Sequence, residues 1–294
     1  MTNTATNTAT SASPIIATPI SGALGAEVTG VDLSAPLDDA AYDAVRGALL
    51  DHCVLFFRDQ DMTPPQQLAF AKRFGDIHFH PHVPGLPDIP EIMEILKTDK
   101  DARPFGVGWH TDQMFLAEPA MGTMLYAKEV PDAGGDTLFT NLHRAYDALS
   151  DGMKRMIAGL RTVNLADAGR KIAGANPGGG QYGGFNSMAL NKRDDVAAET
   201  EHPLVRTHPE TGRKALFIGL HTERFATMTT AESKPLLDYL VDHATKPEFT
   251  CRFRWREGSV AFWDNRCVLH NAIDDYRGKR RRMHRITLKG DRPV

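Results

Sequence analysis

At 294 residues the chain is long enough for one large domain or two small ones, and 41% hydrophobic with 24% charged residues is ordinary globular usage. A net charge of -3 gives no global attraction to nucleic acid. Cys53, Cys251 and Cys267 form neither a paired framework nor a CxxC, which argues against a disulfide scaffold and suits a reducing, cytoplasmic compartment.

Residues 1–14 are rich in Thr, Ala, Ser and Asn, lack the basic region and apolar core of a signal peptide, and read as a disordered tail before one domain over 15–294. No later stretch is apolar for long enough to span a bilayer. A strand is predicted over 25–33, a helix over 38–51, a buried strand over 54–57 and a second amphipathic helix from Pro64-Pro65 to the Gly75 stop. Short strands follow over 91–96, 123–126, 137–140, 216–218, 251–255, 259–263 and 285–288, with helices over 142–149, 152–159 and 231–243. Many short strands with a few helices predict a mainly β chain with flanking helices, a double-sheet jelly roll. The stretch 174–184 is too glycine-rich to hold regular structure and reads as part of a lid over about 165–200.

His110 and Asp112, in Gly108-Trp109-His110-Thr111-Asp112, are answered far downstream by His270. Two imidazoles and one carboxylate suit one face of an octahedral Fe(II) site whose other face stays open, although the same donors also fit zinc. Eleven residues beyond His270 stands Arg281, in Lys279-Arg280-Arg281-Arg282-Met283-His284-Arg285. Such a run is also what a solvated basic turn looks like. Alternation carried back from Ile286-Thr287-Leu288, however, puts Arg281, Met283 and Arg285 on one strand face, where a planar guanidinium is able to clamp a carboxylate. Gly134-Gly135 before Asp136-Thr137 reads as a turn entering a strand, with Thr137 by itself an ordinary strand residue. His78-Phe79-His80-Pro81-His82 sets three imidazoles close together, without a neighbouring carboxylate to complete a metal site.

These blocks, with Pro131-Asp132-Ala133-Gly134-Gly135-Asp136-Thr137 and Trp263-Asp264-Asn265-Arg266, resemble the taurine dioxygenase and dichlorophenoxyacetate dioxygenase family of Fe(II)/2-oxoglutarate-dependent oxygenases, in order and spacing, from about Ile20 to Pro293. The resemblance implies a cupin-like double-stranded β-helix, with His110, Asp112 and His270 binding Fe(II). It implies Thr137 and Arg281 on the distal carboxylate of 2-oxoglutarate, O₂ as oxidant, and Arg285 on an anionic group of the substrate. His80 matches a substrate-contacting histidine of the taurine enzymes, and His221 matches the aryloxyalkanoate branch. Val83 and Gly106 replace polar residues that the taurine enzymes carry. The expected substrate is therefore a small organic anion other than taurine: an alkylsulfonate, an alkyl sulfate ester or an aryloxyalkanoate. Hydroxylation next to its heteroatom would lead to collapse into a carbonyl product with sulfite, sulfate or a phenol. A homo-oligomer is expected, with no nucleic-acid or membrane partner. The alternative is a non-catalytic metal or small-molecule binding module on the same scaffold.

Overall fold

The computed structural model describes residues 14–166, 186–188 and 199–294. The largest sheet runs β1 (Ile16–Pro19), β2 (Ala26–Thr29), β3 (Val54–Phe57), β14 (Val260–Asp264), β6 (Gly122–Glu129), β16 (Arg281–Leu288), β4 (Ile77–His78), and β5 (Met93–Lys97) pairs with β16. A second sheet is formed by β13 (Thr250–Phe253), β7 (Thr137–Asn141) and β15 (Val268–Ala272). Beside them lie a sheet of β12 (Thr222–Phe225), β8 (Arg161–Leu165) and β9 (Glu199–Pro203), and a hairpin of β10 (Val205–Thr207) and β11 (Lys214–Leu216). The helices are α1 (Asp39–His52), α2 (Pro64–Lys72), α3 (Leu142–Asp147), α4 (Asp151–Ile157) and α5 (Thr230–Ala244).

Strand β3 shows how the layers are held. Val54 and Phe56 enter one apolar cluster while Leu55 and Phe57 enter the other, as the two-residue period of a strand requires. The centre of the large sheet is thus buried on both faces, so β3 and β14 read as nearly unbroken apolar runs. One face packs on the second sheet, where Phe56 stacks on Phe253 at 4.0 Å and Phe139 lies 5.6 Å from Trp263. The other is covered by α1 and α2 through Val45, Leu49, Phe70 and Ala71.

Local chemistry sets the helix ends. Asp38 caps α1 by accepting from Ala41 N, and α5 opens on a capping box in which Thr229 and Glu232 bond reciprocally. The mainly β composition with flanking helices matches the expectation from the sequence. The predicted strand over 25–33 shortens to Ala26–Thr29, because Gly30 takes a φ of +80° and ends it. The strand expected over 216–218 shifts to Lys214–Leu216: Phe217 N still donates to Leu204 O in the same register, but Leu204 N turns to Leu160 O and the ladder stops there. Strand β9 was not anticipated: its sequence, Glu-Thr-Glu-His-Pro, contains no apolar residue to mark it. Residues 1–13 of the tail expected over 1–14, and the glycine-rich stretch 174–184, lie outside the described residues.

Candidate active site

His110 pairs with His270 in an isolated antiparallel bridge, His110 N donating to His270 O at 3.0 Å and His270 N to His110 O at 2.8 Å. This short bridge ties the loop before His110 to β15 and sets the two rings 4.1 Å apart. Both Nε2 atoms turn to one carboxylate oxygen: Asp112 Oδ1 lies 3.8 Å from that of His110 and 3.6 Å from that of His270. All three residues are buried.

The surroundings prepare these groups to act as ligands. His110 Nδ1 lies 2.7 Å from Gly108 O, which fixes its proton on Nδ1 and leaves the Nε2 lone pair for a metal. Burial lowers the pKa of both imidazoles, keeping them neutral. Burial alone would raise the Asp112 carboxyl, but the Arg285 guanidinium beside it, with the hydrogen bond from Thr123, outweighs this and holds the group well below the usual range. Its second oxygen, Oδ2, accepts from Thr123 Oγ1 at 2.6 Å, and Thr123 in turn accepts from Asn265 Nδ2 at 3.0 Å. Two neutral imidazole nitrogens and an ionised carboxylate, converging within 4.8 Å of one another, fit an Fe(II) ion and also Zn(II). Because Thr123 orients the carboxylate, Thr123→Val is expected to weaken metal binding by about tenfold to a hundredfold, measured by competition with a fluorescent chelator.

Thr137 and Arg281 lie on two different sheets and line the cavity that also contains His110 and His270. Trp255 joins them, donating from Nε1 to Thr137 Oγ1 at 3.0 Å while its ring lies 5.6 Å from the Arg281 guanidinium. Thr137 Oγ1 therefore accepts from the indole and has its own proton left to give. Nε and Nη2 of Arg281 and the hydroxyl of Tyr276 are buried without a well-aligned hydrogen bond among the described residues. Burial pushes the Tyr276 phenol up to about 12, so it stays protonated. Donors of this kind around one buried guanidinium fit the carboxylate of an organic acid. Gly135, at φ +73°, lets the backbone close on this corner: a Cβ there would stand 3.3 Å from the Tyr276 ring and 3.5 Å from Arg281 Cδ.

Arg285 lies two alternations along β16 from Arg281 and lines the same cavity. Its Nη2 is 2.8 Å from Asp112 Oδ1, an ionic contact without a well-aligned N–H, and its Nε donates to Thr287 Oγ1 at 3.2 Å. His80 lines a neighbouring cavity with Val83 and Arg285. His221 lines neither; its Nδ1 lies 3.0 Å from Leu165 O and its ring packs on Phe115. Burial lowers its pKa to about 4. Gly106, at φ +86°, sits over the triad, where a Cβ would come 3.5 Å from His110 Cε1. The His78, His80 and His82 imidazoles do not group as a metal site among the described residues.

A buried network fixes the loop leading to His270. Asp264 Oδ1 and Oδ2 accept from Arg266 Nε and Nη2 at 2.8 and 2.6 Å, and Oδ2 lies 3.0 Å from His208 Nε2. Cys267 completes a second cluster of donors with His208 and Asp264, but the Arg266 guanidinium already occupies the carboxylate. Asn265 Oδ1 accepts from Trp263 Nε1 at 2.9 Å. Burial opposes ionisation of Asp264, yet Arg266 and His208 hold its pKa far below normal, so its contribution to stability is present above about pH 4 and is lost as pH falls through the folded pKa. Asp264→Asn should cost about 3 kcal/mol near neutral pH. In urea titrations this deficit should shrink as the buffer is taken below about pH 4.

Residues 17–287 match the profile of the TauD/TfdA family, described as taurine catabolism dioxygenase. The chain belongs to this family. It is 35% identical over 299 aligned positions to an alpha-ketoglutarate-dependent sulfate ester dioxygenase from Pseudomonas putida, covering 100% of this chain and 96% of that protein. It is 33% identical to an (S)-phenoxypropionate/alpha-ketoglutarate-dioxygenase from Sphingobium herbicidovorans, over 93% of this chain and 94% of the other. A crystal structure of AAD-2 in complex with Mn(II) and N-oxalylglycine superposes with a TM-score of 0.77 at 29% identity, covering 96% of this chain and 99% of that one. Thr123, Trp255 and Tyr276 were not singled out from the sequence. Trp255 meets Thr137 from far away in sequence, and only the Trp and Tyr identities hinted at buried anchors.

Proposed function

We propose that this chain is an Fe(II)- and 2-oxoglutarate-dependent dioxygenase that hydroxylates the carbon next to a heteroatom of a small organic anion. The observation that carries this reading is one cavity lined by His110, His270, Thr137, Arg281 and Arg285, with Asp112 Oδ1 shared between the histidines and Arg285. His110, Asp112 and His270 would hold the iron, which when bound supplies oxidative decarboxylation of 2-oxoglutarate coupled to substrate hydroxylation. Arg281 and Thr137 hold the distal carboxylate of the keto acid, Trp255 orienting the threonine. Arg285 takes the substrate anion and sets which C–H faces the metal. Trp263 and Leu125 wall the cavity and limit access of water. An unstable hydroxylated adduct collapses to a carbonyl compound with sulfite, sulfate or a phenol.

The relatives named for sulfate esters and phenoxypropionate support an alkyl sulfate, alkylsulfonate or aryloxyalkanoate as substrate. The packing of the large sheet on β13, β7 and β15 supports a double-stranded β-helix within one domain over 15–294. No helix among the described residues is long and apolar enough to cross a membrane, and we read the protein as a cytoplasmic homo-oligomer without a nucleic-acid partner. The test is succinate formation with Fe(II), 2-oxoglutarate and O₂ across a panel of these anions and taurine. Substrate-dependent succinate, with taurine poorer than an amine-free anion of similar length, is expected. Binding without succinate would mark a non-catalytic module instead. Arg285→Ala should lower kcat/KM for the best anion at least about tenfold while leaving 2-oxoglutarate affinity nearly intact.

A further inference from the structure

Arg285 stands between two cavities. The inner one, beside His110 and His270, measures about 30 Å³, room for about two waters. The outer one measures about 230 Å³ and is lined by His78, His80, Val83, Met93, Arg285 and Thr287 among others. Its other charged lining residue, Glu91, lies 3.8 Å from Lys72, which leaves the Arg285 end as the place for an anion.

The guanidinium does not present a free carboxylate fork. Its Nε donates to Thr287 Oγ1 and its Nη2 sits 2.8 Å from Asp112 Oδ1 in an ionic contact without a well-aligned N–H, so the side-on edge that would grip a planar carboxylate through two parallel bonds already faces protein groups. Further donors have to come from another element. His78 lies on β4 directly across from Thr287, and its Nε2 is buried with no hydrogen-bond partner among the described residues. Burial and the charges of Arg285 and Lys289 bring this imidazole down to about 4, so it is neutral and able to carry a proton on Nε2. His80 comes from the loop that follows; its Nδ1 accepts from His82 N and Val83 N, each at 3.1 Å, which places its proton on Nε2.

We infer that His78 is a specificity-determining residue, reading the head group of the substrate together with Arg285 and selecting a tetrahedral sulfur oxyanion over a planar carboxylate. Three oxygens splayed about sulfur can meet donors arriving from β16, β4 and the loop after β4 at once. Two oxygens in one plane cannot. The inference rests on the dioxygenase reading above and narrows its substrate to sulfonates and sulfate esters.

The test is isothermal titration of 1-butanesulfonate and pentanoate into protein loaded with Mn(II) and 2-oxoglutarate, as wild type, His78→Phe and His78→Gln. Wild type should bind the sulfonate at least about tenfold more tightly than the carboxylate. His78→Phe should lose about tenfold to a hundredfold for the sulfonate, the loss expected for one hydrogen bond to a charged group, and less than about threefold for pentanoate. His78→Gln should restore most of the sulfonate affinity, and all three proteins should bind 2-oxoglutarate equally. Wild type without preference between the anions, or an equal loss for both in His78→Phe, overturns the inference and leaves the dioxygenase reading intact. Wild type that binds neither anion overturns the small-anion reading and the role of His78 with it.

Discussion

Replacing His110, Asp112 or His270 by alanine is expected to abolish 2-oxoglutarate-dependent succinate formation. Each substitution removes one of three donors that converge within 4.8 Å, and no other His, Cys, Asp or Glu joins that cluster among the described residues. The three losses differ in kind. Without His110 or His270 the protein loses a neutral Nε2 donor, so metal affinity should fall steeply. Without Asp112 the two imidazoles remain to bind some metal, but Arg285 loses the carboxylate 2.8 Å away and becomes an uncompensated buried charge. Asp112→Ala should therefore also lower thermal stability more than either histidine variant. Metal stoichiometry, succinate formation and melting temperature measured on the same preparations separate these effects. Two folded variants retaining near-wild-type succinate formation would show that the metal is held elsewhere.

Arg281→Gln should weaken 2-oxoglutarate by about 2 to 5 kcal/mol, the usual cost of truncating one partner of a buried charged pair, or about thirtyfold to several thousandfold in affinity. Arg281 is 4% exposed, so water has little access to replace it. The substrate anion should be affected far less, because Arg285 lies about 13 Å farther along the strand by its rise per residue. Titration of the keto acid and of the anion into both proteins measures this split. Unchanged keto-acid affinity in Arg281→Gln would reassign the clamp, with Arg285 the remaining buried arginine of the cavity.

Much of the architecture was legible where local physics decides it. The first helix was expected over 38–51 and is found at Asp39–His52, because Asp38 is a strong cap and the apolar positions repeat at helical spacing. The buried run Val54 to Phe57 was equally plain. Strand β15, which delivers His270, was not predicted: Val268 and Leu269 are its only large apolar residues, and its ladder is supplied by β7 from far away in sequence. Alternation did place Arg281 and Arg285 on one face, and both line the inner cavity, although β6 carries an irregularity opposite Arg282 and Met283. The partners that orient the site were hidden for the same reason as β15. Thr123 reaches Asp112 from β6, and Trp255 reaches Thr137 just past the end of the β13–β7 ladder, so both contacts exist only once the chain is folded.

We propose one site that binds Fe(II) through His110, Asp112 and His270 and binds 2-oxoglutarate beside it through Arg281. Its most direct test is an anaerobic titration of the Fe(II)-loaded protein with 2-oxoglutarate, followed by visible absorption. A charge-transfer band is expected that saturates at one keto acid per chain, shifts when the anionic substrate is added, and is missing without iron or in His270→Ala. A protein that takes up Zn(II) in place of iron and develops no band with 2-oxoglutarate would contradict it.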